Sequence, residues 1–170
     1  MNATRILAAA ALTVAATMMP VAAQADDSTY TAQLSAAQEV PTNASLARGA
    51  AVFKLSADGT ELDYRLIVAN LDNPVAAHIH IAPAGTNGPV VAFLYGPVAA
   101  AGGQTSGVIA TGTITAANLT GPLTGQPLSA LVELLDSGDA YVNVHTNDGV
   151  SPTGTGPGDL AGGEIRGQIH

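Results

Sequence analysis

The sequence predicts an all-β fold, an antiparallel β-sandwich or flattened Greek-key-like barrel with one short covering helix. Three observations carry that prediction. Short runs that alternate apolar and polar residues recur along the chain, the pattern of strands with one buried face. Nineteen glycines and ten prolines interrupt those runs, and both residue types end strands and build turns. Only Leu128, Leu131, Leu134 and Leu135 show the three- and four-residue spacing of an apolar helical stripe.

Taken in order, residues 1–25 read as a signal peptide. One basic residue, Arg5, precedes an apolar run over residues 6–19 that ends at Pro20. At about fourteen residues the run is shorter than the roughly twenty that span a bilayer as a helix. Ala23-Gln24-Ala25 supplies a small-x-small cleavage site before Asp26. The expected product is therefore an exported protein, periplasmic or secreted, with no membrane insertion after cleavage. Residues 26–170 suit a single β domain. That part keeps four basic residues against all thirteen acidic ones, a formal charge of −9. Such a balance argues against nucleic acid and against anionic membrane surfaces. There is no cysteine, so no disulfide holds the fold.

The first expected strand alternates Tyr30, Ala32 and Leu34 with Thr29, Thr31 and Gln33, and closes at Glu39-Val40-Pro41. The second puts Ala51, Phe53 and Leu55 on one face. Asp58-Gly59 then marks a hairpin, because glycine accepts the positive φ of tight turns. In the third, Leu62, Tyr64, Leu66 and Val68 face inward. The fourth contains Ala77-His78-Ile79-His80. Residues 90–95 are apolar on both faces, which predicts a central strand, and Val108, Ala110 and Ile114 form the inward side of the next. The leucine stripe follows, with Pro127 near its start and Gly138 past its end. Two strands over residues 139–146 and 163–170 are expected to pair, since sequential strands are usually neighbours. His170, at the chain end, is expected to fray.

Side chains alternate across a strand, so His78 and His80 share one face. Tyr141, Asn143 and His145 share a face opposite Val142 and Val144. Three of the chain's four histidines thus sit at polar-face positions. A His-x-His pair with a third histidine on another strand is how β scaffolds build three-nitrogen sites for one zinc or copper ion. His78, His80 and His145 are the candidate ligands, and Asn143, Glu164 and Asp72 are candidates to hold the free ring nitrogens. The alternative is a protein-interaction or adhesion module, metal-free and non-catalytic, whose histidines only line a surface that meets another extracytoplasmic protein. A two-metal dismutase site of the Cu/Zn type needs more histidines than the chain has. No catalytic residue stands out. Asp148 and Asp159 lack EF-hand spacing and read as solvated loop acids, the glycine-rich stretches lack a phosphate-binding lysine, and Glu164 with Arg166 reads as a polar-face ion pair.

A set of blocks carries a resemblance: Gln38-Glu39-Val40-Pro41, Ala77-His78-Ile79-His80, Asn87-Gly88-Pro89-Val90-Val91, Tyr141-Val142-Asn143-Val144-His145-Thr146 and Gly163-Glu164-Ile165-Arg166-Gly167-Gln168-Ile169. In this order they resemble the CHRD domain, the module named for chordin and found alone in exported bacterial proteins. The resemblance covers residues 28–170. It implies an extracytoplasmic β-rich domain, and through chordin a binding role; it brings no catalytic reaction. One departure is a longer loop between His145 and Glu164.

Overall fold

The computed structural model describes residues 28–170. The signal-peptide segment and its cleavage site lie outside the described residues. Eight strands form one antiparallel sheet: β1 (Thr29–Ser35), β2 (Arg48–Leu55), β3 (Leu62–Asp72), β4 (Pro74–Ile81), β5 (Val90–Tyr95), β6 (Gln104–Ile114), β7 (Ala140–Thr146) and β8 (Ile165–Gln168), with helix α1 (Leu128–Asp136) before β7. Their order is β5-β4-β7-β8-β1-β2-β3-β6. The sheet curls until its two edges approach each other, and across that gap the Tyr64 hydroxyl donates to the Leu94 carbonyl at 2.7 Å. The result is a nearly closed barrel with one short helix.

The alternation in the sequence becomes the barrel interior. Leu34, Phe53, Leu62, Leu66, Leu71, Ile79, Val142, Val144 and Ile165 are all buried in one core. The β2–β3 hairpin turns where Asp58-Gly59 predicts: Gly59 has φ +71°, and the Asp58 carboxylate accepts from the hydroxyls of Ser56 and Thr60. Leu128, Leu131 and Leu135 are the buried stripe of α1, and the Tyr30 hydroxyl donates to Asp136 at 2.7 Å, pinning the helix end to β1. Among the described residues no helix is long and apolar enough to cross a membrane.

Four expectations need correction. β5 is an edge strand, not a central one; Val91, Ala92 and Leu94 are buried because the curled edge meets the far side of the barrel. In β6, Val108 is 45% exposed. The pairing shifts from Leu66↔Ala110 to Ile67↔Val108, and the extra residue, Ile109, reverses which side chains face in. β8 is only Ile165–Gln168, although beyond it the Ile169 amide still donates to the Ala140 carbonyl of β7 at 2.9 Å. There the amide of His170 donates to the Thr31 carbonyl at 3.0 Å and its own carbonyl accepts from Thr31 at 2.8 Å, so the terminus is tied and does not fray. The expected pairing of the last two strands is present, with Asn143 opposite Arg166 and Tyr141 opposite Gln168.

Candidate metal centre

The barrel's outer face over β4, β7 and β8 carries the polar residues. β4 pairs with β7 so that His78 lies opposite Asn143, His80 opposite Tyr141 and His145 opposite the small Ala76. Directly paired residues share a face, which puts all three histidines on the same side. His145 is diagonal to His78, and the two rings meet with Nδ1 of His78 and Nε2 of His145 3.2 Å apart. One ligand nitrogen from each of His78, His80 and His145 lies within 4.8 Å of the others. The cluster can coordinate a metal ion. Two nitrogens bonded at 2.0–2.1 Å to a tetrahedral ion stand about 3.3 Å apart, close to the separation of the first pair.

Backbone carbonyls aim the rings. Nδ1 of His80 lies 2.8 Å from the Gly88 carbonyl, and Nδ1 of His145 lies 3.0 Å from that of Ala161. A carbonyl only accepts, so each Nδ1 carries the proton and each Nε2 presents a lone pair. Nε2 of His80 is buried and has no hydrogen-bond partner, the condition a metal would relieve. Gly88 is required for this approach, since a Cβ there would sit 1.9 Å from the Ile81 carbonyl oxygen.

The packing around the rings keeps them neutral. His80 stacks on Tyr141 with centroids 4.9 Å apart, and Phe93 meets His78 edge-on at 4.7 Å. Burial first, then His145 and His80, push the His78 pKa down to about 4. Burial also lowers that of His80, aided by the Arg166 charge against the opposing pull of the Gly88 carbonyl. His145 is lowered by burial, with the Ala161 carbonyl opposing. Neutral imidazole is the form that binds metal.

Asn143, Glu164 and Asp72, expected to hold the free ring nitrogens, do not bond them; the carbonyls of Gly88 and Ala161 do. Asn143 Nδ2 donates to Glu39 Oε2 at 3.4 Å. Glu164 accepts from the Ser45 hydroxyl, the Thr146 hydroxyl at 2.6 Å and the Gly158 amide at 2.7 Å. Asp72 stands opposite Gln104 at the end of β3, and the ring nitrogens are met by His145, Gly88 and Ala161 instead of its carboxylate. Nor do Glu164 and Arg166 bond each other as an exposed pair. Both are 1% exposed; the guanidinium lies 3.4 Å from the Tyr141 ring centroid and donates to Asn87, Pro83 and Gln168. Asp159 is buried rather than solvated, and its Oδ2 accepts from the amide and hydroxyl of Thr155. That staple lies in the same loop whose Ala161 carbonyl meets His145.

Sequence reasoning missed Glu39, Tyr141 and the two carbonyls. Glu39 is 4% exposed, and burial, opposed by Arg166, raises its pKa to about 7. It borders a cleft of about 530 Å³ also lined by Asn87, Ala161 and Gly163. Glu39 is marked only by the Gln38-Glu39-Val40-Pro41 block, and Tyr141 by its block and by sharing a face with His145; a carbonyl has no signal in sequence.

The CHRD domain family matches residues 30–155. The matched range takes in all three histidines and stops before β8. No curated protein and no solved structure matches the chain. With well over half of its length inside the family match, the chain belongs to the CHRD domain family.

Proposed function

We propose that this CHRD protein is exported and binds one zinc or copper ion through His78, His80 and His145. The observation that carries the reading is the partnerless buried Nε2 of His80 in a cluster whose ligand nitrogens lie within 4.8 Å of one another. A buried ring nitrogen without a partner is costly in a metal-free fold; as a ligand it is satisfied. The all-nitrogen donor set suits zinc or copper and disfavours magnesium and calcium, which take oxygen. The leader read in residues 1–25 supports export to an oxidising compartment, where a histidine site, unlike a thiolate one, is not lost to oxidation. The test is calorimetry with zinc and with copper on tag-free protein lacking residues 1–25. Binding tighter than about 10 μM that is lost in the His78, His80 and His145 triple-alanine variant is the expected result. An interaction module expects equal, weak binding by both proteins.

A further inference from the structure

Two buried side chains, Glu39 and Asn143, are joined by one hydrogen bond, from Asn143 Nδ2 to Glu39 Oε2 at 3.4 Å. The second oxygen of each, Glu39 Oε1 and Asn143 Oδ1, is sealed and bonded to nothing. No water has room to satisfy the amide oxygen, because Gly163 closes over it: a Cβ there would lie 2.5 Å from Oδ1 and 2.6 Å from Nδ2. Two bare acceptors cannot bond each other. One hydrogen on the carboxyl satisfies both, because a protonated carboxyl donates from one oxygen while the other accepts. The torsions that turn terminal carboxyl and amide planes are soft, so the pair can close into a ring of two hydrogen bonds, Nδ2–H to Oε2 and Oε1–H to Oδ1.

We propose that Glu39 is held as a neutral acid paired with the Asn143 amide, and that this pair latches the strap of residues 39–45 until the proton is lost. The latch needs no metal. Arg166 of β8 and Glu164 just before it are the charged groups that face Glu39, and the other residues lining its cleft, from the strap and from loops 82–89 and 147–163, are uncharged. Arg166 gives its N–H groups to Asn87, Pro83 and Gln168, and Glu164 repels a carboxylate. Ionised, Glu39 keeps one long N–H bond and leaves Oδ1 stranded, a costly state for buried groups. The strap's backbone anchors, Asn87 Nδ2 to the Val40 carbonyl at 2.6 Å and Asn43 Nδ2 to the Glu164 carbonyl at 3.0 Å, carry no titrating proton. Burial, against the pull of Arg166, raises the Glu39 pKa to about 7. The latch is therefore closed in mild acid and loosens as pH rises past neutrality.

The experiment uses tag-free, metal-free protein. At about pH 6 ordinary carboxyls are ionised, so infrared spectroscopy should show a protonated-carboxyl band that is missing from Glu39→Gln and fades from wild type by about pH 8.5. Asn143→Ala removes the partner and should move that band to higher frequency, the mark of a carboxyl without hydrogen bonds. Amide hydrogen exchange reads the strap. If Glu39 has an ordinary pKa once released, opening of residues 39–45 should rise about tenfold between pH 6 and pH 8.5, after correction for intrinsic exchange. Glu39→Gln should show no such rise, since its carboxamide both donates and accepts and has no proton to lose. A wild-type spectrum at pH 6 without that band overturns the neutral acid. An equal rise of strap exchange in wild type and Glu39→Gln overturns the latch. A band unmoved in Asn143→Ala overturns the pairing, and should that variant fail to fold, the first two results still decide the proposal.

Discussion

Replacing His80 by phenylalanine should remove the metal and leave the metal-free fold standing. His80 is 9% exposed and stacks on Tyr141 at an interplanar angle of 13°, a contact that a phenyl ring keeps. The change loses the hydrogen bond to Gly88, worth about 1 kcal/mol, and leaves that carbonyl unpaired. It also removes the partnerless Nε2, whose burial costs about 1–3 kcal/mol. These effects oppose, so the metal-free variant should lie within about 1 kcal/mol of wild type. Metal binding should respond differently. If roughly 12 kcal/mol of binding is shared by about four donors, one donor is worth about 3 kcal/mol, or about 100-fold in Kd. At a free metal concentration of about 100 times the wild-type Kd, wild type gains about 2.7 kcal/mol of stability and the variant only about 0.4. Urea unfolding with chelator, and again with zinc or copper, measures both quantities. Equal metal stabilisation in the two proteins would refute the ligand role; a chelated variant weakened by more than about 3 kcal/mol would refute the claim that this histidine is a cost to the metal-free fold.

The Glu39 pKa is raised to about 7, so its neutral form is favoured by folding, and the stability it allows at low pH is lost as pH rises from about 4.5 to about 7. Glu39→Gln should therefore gain on wild type by up to about 3 kcal/mol between pH 4.5 and pH 8, and a stability difference constant across that range would show the carboxyl to be ordinary. The histidines have the opposite sign: their lowered values mean that metal-free stability is full above about pH 6.5 and lost as pH falls below it. For the same reason metal should hold on in acid. Three ordinary imidazoles would lose about a thousandfold in affinity between pH 7.5 and 5.5, whereas a clearly smaller loss is expected here by competition with a chelator. Finally, Gly167→Ala would place a Cβ 2.4 Å from the Gln33 carbonyl oxygen and pry β8 from β1, lowering stability by about 2 kcal/mol or more; an unchanged urea midpoint would show that this seam yields.

The sequence by itself determined the all-β class, the single helix, the hairpin at Asp58-Gly59 and the pairing of the last two strands, because these rest on alternation and turn chemistry that act within a few residues. It also placed His78 and His80 on one face, since a strand's period of two is fixed by its backbone. What it could not decide was anything set by the curl of the sheet. Residues 90–95 read as a central strand because apolar side chains on both faces look alike whether a neighbouring strand or the far wall of a barrel buries them. Val108 read as inward because a bulge leaves no mark in the alternation of β6 alone. The meeting of His145 with His78 is a matter of β4–β7 register, and the carbonyls of Gly88 and Ala161 that aim the rings arrive from loops 82–89 and 147–163. Loop paths are fixed by contacts distant in the chain, such as Gly158 with Asn73 and Asn87 with Val40. For that reason the histidines were legible as candidates in the sequence, while their convergence, their depressed basicity and the buried acid and amide beside them were decided only by the tertiary structure.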